Sequence, residues 1–201
     1  MKIDWHRFAR YLFGLSFLKA HNLKNAEAQL MQNFLEYQKL LHTPRPPGAP
    51  EGGMDSEIQR EDALFSGLLS GISLSLLLEI NCRVEESIRI LQEINEYLDC
   101  FGEGGNGDDQ KPKAGFFVVV DKLSFLVKLI LAKFHKRIGN LDVYMAYLKS
   151  YKGTEDITLN NLKHYKLGVQ YYKGTEIKKA IYHLEKVKFK GHNGERVVVK
   201  A

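Results

Sequence analysis

Apolar side chains recur along most of this chain at steps of three and four residues, the spacing that lays them in one stripe down a helix. In WHRFARYLFGLSFL the stripe is Trp5, Phe8, Leu12, Leu15 and Phe17; in NAEAQLMQNFLEYQKLL it is Ala26, Leu30, Phe34, Tyr37 and Leu40. In VEESIRILQEINEYL it is Val84, Ile88, Leu91, Ile94 and Leu98. Two segments lack the pattern. Residues 43–62 (TPRPPGAPEGGMDSEIQRED) and 102–115 (GEGGNGDDQKPKAG) are rich in turn-forming and charged residues and are expected to be surface loops or disordered. FFVVV, residues 116–120, has the composition of a strand, but it runs without a turn signal into DKLSFLVKLILAKFHKRIG and is expected to open a helix. ERVVVKA at the C-terminus is equally β-prone, and its state stays open. Four of the five prolines fall between 44 and 50, which leaves the rest of the chain free for long helices.

A second, longer period lies over the first. In HYKLGVQYYKGTEIKKAIYHLEKV, residues 164–187, the pair Leu167-Gly168 is followed by Tyr171, then by Ile177, Ala180, Ile181, Leu184 and Val187. Two antiparallel helices approach closely only where a side chain is small, so Gly168 and Ala180 mark the contact and Leu167, Tyr171 and Leu184 fill around it. The same frame recurs upstream. Phe13-Gly14, Phe17, Leu23, Ala26 and Leu30 match it, as do Leu74-Ser75, Leu78, Val84, Ser87, Ile88 and Leu91. Leu131-Ala132, His135, Gly139, Leu141 and Leu148 match once more, with Tyr144 where a small residue is expected, a departure that implies looser packing. Gly174 sits one place early for the turn glycine of the last copy. The two long intervals between copies are accounted for by the two loops.

These residues resemble the tetratricopeptide repeat, a helix-turn-helix unit of about 34 residues. The resemblance implies an all-α fold: a right-handed α-solenoid of four degenerate hairpins in a single domain over 1–201, with residues 190–201 as a tail or a truncated next element. An irregular helical bundle is the alternative. At a finer level the layout is similar to a tetratricopeptide subunit of the mRNA deadenylase complex. In both, a hairpin like SLSLLLEINCRVEESIRILQEINEYL is followed by a Gly/Asn/Asp/Lys-rich loop, then by hairpins like KLILAKFHKRIGNLDVYMAYLK and YKLGVQYYKGTEIKKAIYHL. That likeness implies a non-catalytic scaffold that binds another subunit. GHNGERVVVKA offers no polar capping helix, so the last hairpin is expected to be covered by a downstream segment or an assembly partner.

Composition adds direction to this picture. Hydrophobic residues make up 44% of the chain and charged residues 26%, as in ordinary globular proteins. The net charge of +5 is concentrated: residues 151–201 carry 11 Lys/Arg against 5 Asp/Glu, and the other 150 residues carry 18 against 19. A basic last quarter attracts acidic peptides, phosphates or nucleic-acid backbones. Cys82 and Cys100 make no disulfide framework, and with no Asn-x-Ser/Thr acceptor the implied compartment is the cytoplasm or nucleus. The longest uncharged run, Ala63 to Leu78, is 16 residues with four serines, too short for a bilayer span of about 20, so no membrane partner is expected. Its Gly67-x-x-x-Gly71 then serves to admit a neighbouring helix.

Candidate chemistry is thin. Gly102-x-Gly104-x-x-Gly107 has dinucleotide-loop spacing, but a helix precedes it and Asp108-Asp109 would repel a pyrophosphate. The histidines show no His-x-x-x-His and the cysteines no Cys-x-x-Cys, and no acidic residues alternate as in a calcium loop. His135 and His164 fall at positions that pack or line a groove. The expectation is therefore no enzyme, no cofactor and no metal. In a repeat array the first helices of the hairpins form the inner surface, on which the frame places Tyr11, Lys19, Leu76, Lys133, Lys136, Arg137, Tyr165, Tyr172 and Lys173. Such a surface suits a partner protein or an acidic or phosphorylated peptide. The clamp of lysines and asparagines with which many such repeats hold a chaperone C-terminus is absent. Basic residues interleaved with tyrosines also suit RNA, the second reading.

Overall fold

The computed structural model describes residues 5–42, 54–103, 114–151, 157–190 and 196–198. Among these residues the protein is helical except at its C-terminal end. The helices are α1 (Trp5–Lys19), α2 (Leu23–His42), α3 (Met54–Ile80), α4 (Val84–Glu103), α5 (Ala114–Arg137), α6 (Leu141–Ser150), α7 (Ile157–Lys173) and α8 (Ile177–Glu185). FFVVV lies inside α5, as the lack of a turn between it and DKLSFLVKLILAKFHKRIG implies. Both expected loops shrink. Residues 54–62 are helical despite their charge, because Met54–Arg60 lacks Gly and Pro and extends α3 backwards; 102–103 and 114–115 also belong to helices, and the remainder of both segments lies outside the described residues.

The helices form four hairpins, each closed by the same three-residue turn. The middle residue of each turn, His21, Cys82, Gly139 or Thr175, is left-handed, with φ of 57°, 62°, 84° and 60°. In every turn its N–H donates to the carbonyl three residues back, and the next N–H donates to the carbonyl five back: Asn22 to Phe17, Arg83 to Leu78, Asn140 to His135 and Glu176 to Tyr171. This is a Schellman closure, which satisfies the end carbonyls of the first helix. The second helix then starts directly, and the Asn22 and Asn140 side chains accept from Asn25 and Val143 N–H as caps. Gly174 is not the turn glycine; Thr175 occupies the left-handed position in its place.

The turn lies seven residues beyond each small residue of the repeat, so the frame is a register of contacts. Gly14, Ser75, Ala132 and Gly168 are all buried. A Cβ at Gly14 would lie 2.8 Å from Leu30 Cγ, and one at Gly168 would lie 2.7 Å from Leu184 Cγ, the same position of the second helix. At the second copy, Ser87 Oγ donates to the Ser75 carbonyl at 2.6 Å. Ala26, Ser87, Tyr144 and Ala180 are buried opposite them. Tyr144 reaches the core although it is not small. The first residue of the second helix departs from the expected pattern: Leu141 and Ile177 are exposed, because the turn carries the start of the helix past the end of its partner.

The chain divides into two compact units, Met1–Glu96 and Tyr97–Ala201. In the first, α2 packs on α3 through Gly67 and Gly71. A Cβ at Gly67 would overlap Tyr37, and one at Gly71 would meet Phe34 and Ile94 at 2.7 Å, so these glycines admit a neighbouring helix. Asn33 Nδ2 donates to Ser70 Oγ at 2.8 Å in the same buried seam. Arg7 and Arg10 pair with Glu36, and Arg83 with Glu27 and Glu86. No helix among the described residues is long and apolar enough to cross a membrane.

In the second unit Ala132, Tyr144, Leu148, Leu167, Tyr171 and Ala180 form one buried cluster shared by α5 to α8. After α8 the described residues form no further helix. Strands β1 (Lys188–Lys190) and β2 (Arg196–Val198) pair antiparallel, with Phe189 opposite Val197. The β-prone RVV thus resolves as a strand. Asn161 on α7 anchors β1 by a two-way bond: its Oδ1 accepts from Lys188 N–H at 2.9 Å and its Nδ2 donates to the Lys188 carbonyl.

Candidate functional site

The second unit carries a surface of lysines set on aromatic rings. Lys136 Nζ lies 4.9 Å from the Tyr144 ring centre and Lys133 Nζ 5.9 Å from that of Phe134. Lys149 and Lys179, from α6 and α8, lie 5.6 and 5.4 Å from the centre of Tyr171, and Lys163 lies 5.8 Å from that of Tyr151. Lys186 is 4.2 Å from the Tyr182 ring centre, and Nζ also donates to the Tyr182 hydroxyl at 2.6 Å. An ammonium over a ring is attracted by its quadrupole, and Lys179 is also paired with Glu176. Tyr165 (53% exposed), Tyr172 (66%) and Tyr182 (54%) add exposed aromatic area on α7 and α8.

Of the residues selected from the repeat frame, Lys133, Lys136, Arg137, Tyr165, Tyr172 and Lys173 fall within this unit, and all six are exposed. They occupy equivalent positions on α5 and α7, one to five residues beyond Ala132 and Gly168, except Tyr165, which lies one turn before Gly168. Tyr11, Lys19 and Leu76 fall within the first unit. Tyr11 is partly exposed, with Phe8 at 6.3 Å between ring centres, while Lys19 and Leu76 are exposed.

The α7/α8 hairpin also brings together side chains that the repeat frame does not select. His164 and His183 face each other with Nδ1 atoms 2.9 Å apart. His183 stacks on Tyr171 at 5.4 Å between ring centres and 11° between planes, and Tyr182 meets it edge-on. Burial and then the His183, Lys163 and Lys186 charges push His164 down to about 4. Burial, then Lys186, Lys163 and Lys149, pushes His183 down too. Lys163 is lowered by burial and by Lys186. The signal for this pair was the hairpin itself. Once Gly168 faces Ala180 and Leu184, antiparallel pairing sets His164, one turn earlier on α7, beside the last turn of α8.

His135, expected to pack or line a groove, packs. Its ring stacks on Tyr147 at 5.6 Å, both nitrogens are enclosed without hydrogen-bond partners, and burial lowers its pKa. Among the described residues no group of three or more His, Cys, Asp or Glu could hold a metal ion. Gly102 lies within α4, and Gly104 and Gly107 lie outside the described residues. No family model, curated protein or solved structure matches this chain.

Proposed function

We propose that the chain is a non-catalytic docking module, its four hairpins stacked as a right-handed α-solenoid, that binds an acidic or phosphorylated segment of a partner protein. The observation that carries this reading is the recurrence of exposed Lys133, Lys136 and Arg137 on α5 and Tyr172 and Lys173 on α7, all placed just beyond a buried small residue. Helices locked at a close-packed contact present such side chains on a rigid base, which limits the entropy lost on binding. Lysine and arginine then pair with carboxylate or phosphoryl groups, and tyrosine supplies contact area at low entropic cost. Membership of a multisubunit assembly such as an mRNA deadenylase rests on the layout resemblance.

The test is fluorescence anisotropy with a panel of acidic and phosphorylated peptides against the wild type and a K133E/K136E/K173E variant. The charge-reversed chain is expected to lose affinity about tenfold or more while keeping its helical signal, since the removed charge contacts are each of the charge-assisted kind. Equal binding by both proteins would overturn the reading. Tight binding of single-stranded RNA instead of peptide, with a steep linear fall of log K against log salt, would replace it with RNA recognition.

A further inference from the structure

We propose that His164 and His183, flanked by Lys163 and Lys186, form a binding site for a phosphoryl group at the α7/α8 hairpin. The proposal rests on the docking reading for the source of that group, a phosphorylated residue of the partner segment.

Geometry comes first. With the two Nδ1 atoms 2.9 Å apart, one and only one proton can lie between them. In the uncharged pair one ring therefore donates through Nδ1 and leaves its own Nε2 bare. A single added proton goes to that bare Nε2. The bond between the rings survives and becomes charge-assisted, and both rings then present an Nε2–H. A second proton would require two hydrogens in the Nδ1 gap and would break the pair. The two rings thus titrate as one unit that takes up one proton readily and two with difficulty.

The surroundings are cationic. Lys163 on α7 and Lys186 just after α8 both act on His164 and His183, and Lys149 on α6 acts on His183. The rings of Tyr171 and Tyr182 pack against His183. Lys163 Nζ donates to the Tyr151 carbonyl and Lys186 Nζ to the Tyr182 hydroxyl, and among the described residues no carboxylate is paired with either lysine or either imidazole. Positive charge is gathered at half-buried, proton-accepting groups with no carboxylate paired to it among the described residues, and a metal cation would be repelled. A phosphoryl dianion removes the repulsion, accepts from the ammonium groups and favours the protonated pair. Whereas His135 is buried, His164 and His183 are both partly exposed, so the site is reachable from solvent. Binding of the anion and uptake of one proton are thereby linked, and each strengthens the other.

The experiment follows the histidine ring resonances of the full chain by NMR during titration with inorganic phosphate and, separately, with sulfate, whose charge does not change across the range. The expected result is saturable displacement of the His164 and His183 signals toward the imidazolium position, with His21 unmoved. Sulfate affinity is expected to be about tenfold higher at acid than at neutral pH, a coupling of ordinary size. K186M, at an exposed position, is expected to weaken binding and H164N/H183N to abolish its pH dependence. Displacement spread evenly over all histidines, or affinity that does not change with pH, would overturn the site. A phosphopeptide that binds the wild type and H183N/K186M alike would overturn the site and leave the docking reading standing. Phosphate binding at the pair, with no preference for phosphopeptide over unphosphorylated peptide, would overturn the docking reading and leave the site standing.

Discussion

The two units use one hairpin frame and finish it differently. In the first, arginines are matched to carboxylates: Arg7 and Arg10 to Glu36, and Arg83 to Glu27 and Glu86. Its seam between α2 and α3 is made of Gly67, Gly71 and the Asn33–Ser70 bond. In the second, Lys133, Lys136, Lys149, Lys163 and Lys186 lie over aromatic rings, and the buried or half-buried titratable groups include the imidazoles of His135, His164 and His183. Matched ions close a surface, because each charge already has its partner. A ring attracts an ammonium without neutralising its charge. The same backbone register thus carries an acidic half, with 10 Lys/Arg against 13 Asp/Glu over residues 1–96, and a basic half, with 19 against 11 over 97–201, that suits an anionic ligand.

The largest expected effect is in the first unit. Gly67→Ala places a methyl against Tyr37 Cβ, an atom tied to the α2 backbone that cannot rotate away, so α2 and α3 must separate. A loss of about 3 kcal/mol is expected, the upper part of the overpacking range, read from urea unfolding. A small change would show that the seam is looser than its geometry.

Acid should then separate the units. His135, His164 and His183 all have folded pKa values below the ordinary histidine value of about 6.5. In that situation the unfolded chain binds more protons. The stability is fully present above the unfolded value and is lost as the pH falls toward the folded values, down to about 4 for His164. The first unit buries no histidine among its described side chains. Hydrogen exchange at falling pH is expected to release α5 to α8 before α1 to α3. Simultaneous release would remove this distinction between the halves.

Gly14→Ala and Gly168→Ala test whether the frame is shared. Both methyls meet a leucine of the second helix, Leu30 or Leu184, and each variant is expected to lose about 1–2 kcal/mol. A large loss in one and none in the other would mean that the two hairpins are not equivalent. His135→Leu should stabilise the second unit by about 1 kcal/mol, because it removes two enclosed nitrogens that have no partner. The gain should grow as the pH falls. The smallest effect is at the turns. Thr175 is β-branched at φ 60°, so Thr175→Gly should raise stability by about 1 kcal/mol, and Gly139→Ala should lower it by a similar amount. Both are readable as shifts in melting temperature.

Legibility in the sequence followed the range of the interaction. Gly14, Ser75, Ala132 and Gly168 were recognisable because a close helix contact tolerates only small residues, and the matching large residues lie at a constant distance along the chain. FFVVV could be read as helix because nothing interrupts it before α5 ends. Thr175 was not legible as the turn residue, since Gly174 next to it is the better intrinsic choice. The pairing geometry of α7 and α8, which places the left-handed residue seven positions after Gly168, overrides that preference. Residues 54–62 were misread because composition reports average polarity, whereas helix extension depends on continuity with the apolar stretch of α3.

What the amino-acid order determined by itself is the helical hairpin and its register: small residues, stripes of apolar side chains and the length between them are local quantities, written in the chain. Only the tertiary structure decided which charges meet carboxylates and which meet rings, and that His164 and His183 share a single proton's space. Those facts depend on distances across two helices, where a shift of one residue exchanges one neighbour for another.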